Sequence, residues 1–216
     1  MTPPKAKSAW RRSRRALFVR GKTKTSSAFS LVELLVVLAL LVILTVMGTS
    51  RFSASARRKD LAVCQKNLQK IYLALSIYRS DNGAYPFLKG ATAPEAPLSL
   101  LVPKSTTVTE IFICPGSRDE PLAQGQRFAD RRISYAYYMG WATNDDPQEI
   151  VITDWQINSA PKKQGQPAFS LDGKKPGNNH YADGGNLLSL GGEVSGCRAK
   201  ASRDLLFPPS VTLLNP

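Results

Sequence analysis

The chain has 216 residues, a formal net charge of +13 and three cysteines. Its length allows one folded domain plus an anchor. The charge has the size expected of a nucleic-acid binder. Yet nine Lys or Arg and no acid fall within residues 1–28, which leaves +4 for the remainder. The excess belongs to an N-terminal arm, and nucleic acid is not expected as a partner.

Residues 1–28 read as a basic leader, from Lys5 to Lys24. Residues 29–49 are almost all Leu, Val, Ile, Ala or Phe, and Glu33 is their only charge. About 20 apolar residues are enough to cross a bilayer core as a helix. A basic leader marks the cytoplasmic side, so the expectation is a single-pass membrane protein with its C-terminal domain outside. A secretory signal fits less well, because the run is longer than the usual apolar core and no Ala-x-Ala-like site follows closely. A charge at the centre of such a helix costs on the order of 2.5–3.5 kcal/mol. Glu33 lies near one end, where it either snorkels at the interface of an ordinary anchor or meets a partner. Composition alone does not choose between these.

Residues 50–82 continue as helix but change character. Leu61, Cys64, Leu68, Ile71, Leu75 and Tyr78 recur at alternating spacings of three and four, with Lys66, Gln69, Lys70 and Arg79 between them. This is one apolar stripe, expected to pack on the domain's own sheet. Asp81-Asn82-Gly83 supplies the stop and Pro86 prevents an early restart. A helix from Phe29 to about Asn82 would be ~80 Å long.

The globular head is expected over residues 83–198, with a tail over 199–216. Residues 87–109 read as a surface loop with a short helix near Leu98–Val102. Strands are predicted at Glu110–Cys114, Ile133–Trp141 and Glu149–Trp155, where β-prone residues are bounded by turn formers. Residues 158–179 read as loop. Residues 186–190 and 193–195 read as a hairpin across Gly191-Gly192. The tail carries Pro208-Pro209, and there is no internal repeat.

His180 is the only histidine. With Asp154 and Asp183 it suggests a base and an orienter, but no nucleophile motif such as Gly-x-Ser-x-Gly accompanies it, and an enzyme is not expected. Cys114-Pro115 is not read as a zinc or redox motif, because no second cysteine is close in sequence.

Ala28-Phe29-Ser30-Leu31-Val32-Glu33-Leu34-Leu35 resembles the class III signal of type IV pilins and type II secretion pseudopilins. The resemblance implies cleavage by a prepilin peptidase between Ala28 and Phe29, with N-methylation of Phe29. It also implies a role for Glu33 in assembly, where its carboxylate meets the new α-amine of a neighbour. The chain departs from the family in having Ala28 where Gly is usual, and in lacking the stem proline. Cys64–Ile71 and the Asp81-Asn82-Gly83-Ala84-Tyr85-Pro86 turn are similar to the stem end of major-pseudopilin-like subunits, closest to planctomycete- and verrucomicrobia-like versions. Asn179–Leu188 resembles their closing motif. There a His is followed about ten residues later by Asp-Gly-His-Val, a place that reads Gly191-Gly192-Glu193-Val194 here.

The fold implied is α+β and type IV pilin-like, a long N-terminal helix, its first half transmembrane, packed on a small antiparallel sheet. The function implied is that of a structural pseudopilin in a type II secretion-like periplasmic fibre. Its partners would be the prepilin peptidase, other pseudopilins and an inner-membrane platform with a cytoplasmic ATPase. A type IV pilin for adhesion or DNA uptake and a simple anchored binding module are the alternatives. The family-like contexts of Cys64 and Cys114 suggest that pair as a disulfide, with Cys114–Cys197 as the competing bridge. Calcium, which the family often holds in a C-terminal loop, would draw on Asp183 and Asn186, with Asp172 and Asn179 as further oxygens. The same residues also serve as ordinary turn formers.

Overall fold

The computed structural model describes residues 30–117, 119–123 and 126–216, and the side chains of 46–54 lie outside that description. The chain divides into two units, one ending at Val46 and the other running Met47–Pro216.

A single helix, α1 (Leu31–Asn82), enters both units. Its first turn carries Glu33, where the positive end of the helix dipole suits an acid. Leu34 N–H donates to the Ser30 carbonyl at 3.1 Å. The helix ends at Gly83, whose φ of +70° is the left-handed cap that glycine adopts without cost. Gly83 N–H donates to the Arg79 carbonyl at 2.8 Å, and Asn82 Nδ2 donates to that of Tyr78 at 2.8 Å.

Within Met47–Pro216, five antiparallel strands form one sheet: β1 (Tyr135–Met139), β2 (Ile150–Asp154), β3 (Gly185–Ser189), β4 (Val194–Cys197) and β5 (Thr212–Leu214), in the order β4-β3-β2-β1-β5. Register places Tyr135 opposite Asp154 and Leu187 opposite Ser195. Every residue of β1, β2 and β3 is buried, so the centre of the sheet is covered on both faces. Cys64, Leu68, Ile71, Ala74 and Leu75 of α1 share one core with Tyr137, Ile152 and Leu188 of the sheet. In the turn between β3 and β4, a Cβ at Gly192 would strike the Tyr72 ring, and its φ is +89°. Both facts demand glycine there.

Three expectations are corrected. First, the pilin-like layout with a membrane half is not what the structure shows. The molecule mixes helix with an antiparallel sheet, but a five-stranded sheet with only short helical turns besides α1 is not that layout. Second, among the described residues no helix is long and apolar enough to cross a membrane, which overturns the single-pass inner-membrane placement. Third, the strand expected at 110–114 is a 3₁₀ turn, Thr109–Phe112. Ile111 and Phe112 are buried, and core packing overrides their β-preference. The tail supplies a strand that its prolines concealed, since β5 pairs with β1 through Tyr137↔Leu214.

Candidate functional site

Four separate elements deliver one side chain each to a point in the core. The apolar stripe of α1 contributes Cys64, and Cys114 follows the 3₁₀ turn. Asp154 ends β2, and His180 sits in the turn before β3. All four are buried and their ligand atoms lie within 4.8 Å of one another. His180 Nε2 is 3.4 Å from Cys114 Sγ and 3.3 Å from Asp154 Oδ2. This cluster could hold a metal ion. Cys64 and Cys114 are joined as a disulfide, with Cα atoms 5.5 Å apart and a sequence separation of 50. Closing a loop of that length contributes about 4 kcal/mol by the chain-entropy estimate. Cys197 is free and buried.

The surroundings hold the cluster in place. Asp154 Oδ2 accepts from the Asn186 backbone N–H at 2.7 Å and from Asn186 Nδ2 at 3.0 Å, and Oδ1 accepts from Asn179 Nδ2 at 3.1 Å. Asn179 Nδ2 also donates to the Ser134 carbonyl at 2.6 Å. Tyr135, across the sheet from Asp154, is buried, and loss of solvent pushes its phenol well above the usual range, the Asp154 charge adding to the effect. The His180 turn is tight: Tyr181 holds φ at +57°, and Asp183 N–H donates to the His180 carbonyl at 3.0 Å. A Cβ at Gly116 would collide with the Asn179 carbonyl and come within 3.1 Å of His180 Nδ1. Beside the cluster lies a polar cleft of about 230 Å³ lined by Asp60, Gly116, Asp119, Trp155, Lys175 and Asn179 among others.

The other expected site residues fall elsewhere. Ala28 and Phe29 lie outside the described residues. Glu33 is exposed on the first turn of α1. Calcium is not specifically supported by the oxygens proposed for it. Asp183 accepts from Arg57 Nε at 2.9 Å, and Asp172 accepts from Ser170 Oγ and from the Lys174 backbone. Asn179 and Asn186 turn their amide nitrogens to Asp154. An ion pair and a turn occupy the two aspartates, whereas Asn186 Oδ1 has no hydrogen-bond partner. Nor does distance in sequence keep Cys114 from a second cysteine, because the fold supplies Cys64. The sequence offers the cluster as two separate pairs, Cys64 with Cys114 and His180 with Asp154, and the structure brings those pairs to one point while Asp183 pairs with Arg57 instead.

A second feature lies in the unit ending at Val46. All twelve large apolar side chains from Leu31 to Leu44 are 42–79 % exposed, and Glu33 is the only charge among them. No family model matches the chain, and no curated protein or solved structure matches it either.

Proposed function

We propose that the protein is a structural subunit of a pseudopilin-type secretion fibre, cleaved between Ala28 and Phe29 and assembled through the apolar start of α1. The observation that carries this reading is the unbroken exposure of Leu31–Leu44. A helix that is apolar all round must be covered all round. A single docked partner covers one face, whereas several copies of the same segment, packed as a bundle, cover every face. Removing that surface from water is worth roughly 25 cal/mol per Å². Glu33 then serves register: in such a bundle its carboxylate meets the α-amine that cleavage frees on Phe29 of a neighbour. The prepilin peptidase and an assembly ATPase are the partners this requires. The role is structural, and His180 with Asp154 is buried away from any substrate.

The calcium that the resemblance suggested finds no support in the oxygens named for it. Calcium takes six to eight oxygen ligands, and the cluster that gathers here offers two sulfurs, a nitrogen and a single carboxylate.

The test is the covalent state of the N-terminus. Intact-mass and N-terminal analysis of the assembled protein should begin at N-methylated Phe29; a chain beginning at Met1 would overturn the reading. Glu33→Ala should leave cleavage intact and lower fibre yield by at least about tenfold, the equivalent of 1.4 kcal/mol per contact.

A further inference from the structure

We propose that the Cys64–Cys114–Asp154–His180 cluster is a redox-gated zinc site, in which the disulfide and a bound Zn²⁺ are alternative ways of closing the same junction. The proposal is independent of the fibre reading.

The donor set comes first. Two thiolates, an imidazole and a carboxylate form a tetrahedral ligand set that suits Zn²⁺ and not a hard, oxygen-seeking cation. Geometry agrees. With zinc bonds of about 2.0–2.3 Å, the edges of a tetrahedron measure about 3.3–3.6 Å between N and O or N and S donors. The structure places His180 Nε2 at 3.3 Å from Asp154 Oδ2 and 3.4 Å from Cys114 Sγ. Those two edges are already set, and parting the sulfurs completes the figure.

The neighbouring polar atoms point the same way. Five buried side-chain atoms among the described residues lack a hydrogen-bond partner, and three of them belong here: His180 Nδ1, Tyr135 Oη and Asn186 Oδ1. A native core leaves few such atoms, and a crowd of them around a ligand set marks a place for an ion and its outer shell. The Asn179 and Asn186 amides already hold the Asp154 carboxylate, as second-shell donors do around a ligating acid. The cleft reaches Pro115 and Asn179, the chain neighbours of Cys114 and His180.

The exchange balances. A dithiol reductant gives two electrons and two protons to the Cys64–Cys114 bond and becomes its own disulfide. The bond breaks and two thiols form. Zn²⁺ then displaces both thiol protons. The two positive charges of the ion replace the two protons lost, so the exchange leaves the net charge of the core unchanged.

The experiment uses the full-length chain in mild detergent. It is reduced with a dithiol under a chelator, desalted without oxygen and titrated with Co²⁺, then Zn²⁺. The expected result is one Co²⁺ per chain, with a thiolate-to-cobalt charge-transfer band and the intense visible bands of a tetrahedral site, both abolished by Zn²⁺. The oxidised chain should show neither. Melting temperature should fall on reduction and recover with Zn²⁺ alone. Cys197→Ser should keep the bands, and His180→Gln should weaken Co²⁺ by more than the roughly 10–100-fold that a second-shell loss costs. No thiolate band in the reduced wild type would overturn the proposal, as would a band in the oxidised chain, its loss in Cys197→Ser, or a reduced chain whose melting temperature Zn²⁺ fails to restore. The wild-type arms decide the matter even if a variant does not fold.

Discussion

The start of α1 and its later turns are one helix by hydrogen bonding and two different objects by burial. From Leu31 to Leu44 the apolar side chains point in every direction and all are exposed. From Cys64 to Leu75 the apolar residues keep to a stripe, and Cys64, Leu68, Ile71, Ala74 and Leu75 are buried. A stripe can be satisfied by one sheet within the same chain. A surface without a polar side cannot, and must find its cover in other molecules. Periodicity, more than hydrophobicity, therefore decides whether a stretch of helix serves folding or association.

The largest expected effect tests that division directly. Leu68→Ala removes a side chain with no solvent exposure and should destabilise the head by about 2–5 kcal/mol, read as a lowered denaturant midpoint. Leu41→Ala makes the same chemical change at a side chain 51 % exposed. It should leave the midpoint within about 0.5 kcal/mol and appear instead as weaker self-association. Equal shifts in the midpoint would mean that the two stretches are not distinct.

Much of this division could be read from the sequence. The 61–78 stripe, the Asn82-Gly83 stop and the Gly191-Gly192 turn are local signals, set by side-chain spacing and backbone sterics. What failed was non-local. The strand expected at 110–114 lost to core packing around Phe112, and β5 was hidden because a three-residue edge strand needs β1 beside it to exist. A count of apolar residues predicts a membrane half, but among the described residues no helix is long and apolar enough to cross a membrane. The cluster was the least legible part. Cys64, Cys114, Asp154 and His180 come from a helix, a 3₁₀ exit, a strand end and a turn, and although each pair has a signal of its own, only the completed topology brings the two pairs together.

Alkali should act on the head and not on the exposed start of α1. Burial pushes the Tyr138 phenol up to about 12 and raises Tyr137 further in the same direction. A group raised in the folded state contributes stability that is complete below its unfolded value near 10 and is lost as pH climbs through the folded value. Tyr138 alone should therefore remove about 2–3 kcal/mol between pH 10 and 12. Lys162 works in the opposite sense. Burial pulls its ammonium down to about 8, although Gln156, Asn158 and Ala160 oxygens accept from its Nζ within 3.0 Å. Its penalty is complete below pH 8 and fades as pH rises toward its unfolded value near 10.5. Head stability should climb from pH 8, peak near pH 10 and then fall. Tyr138→Phe should flatten the fall and Lys162→Met the climb. Between Leu31 and Leu44 the only ionisable side chain is Glu33, so self-association should follow this curve only where the head itself unfolds.

The smallest effect concerns the polar side of the same helix. Arg57 of α1 pairs with Asp183 at 2.9 Å, with side chains 36 % and 47 % exposed. Water screens both charges, and such pairs are worth about 0.2–1 kcal/mol. Asp183→Asn should therefore shift the head's midpoint by about 0.5 kcal/mol at low salt and by nothing measurable in concentrated salt, where the wild-type pair is screened as well. Calcium should shift neither protein, since Asp183 is committed to a cation already present in the chain. If Asp183→Asn cost as much as Leu68→Ala, charge rather than the apolar stripe would be holding this part of α1, and stripe against all-round exposure would no longer explain why one stretch folds while the other associates.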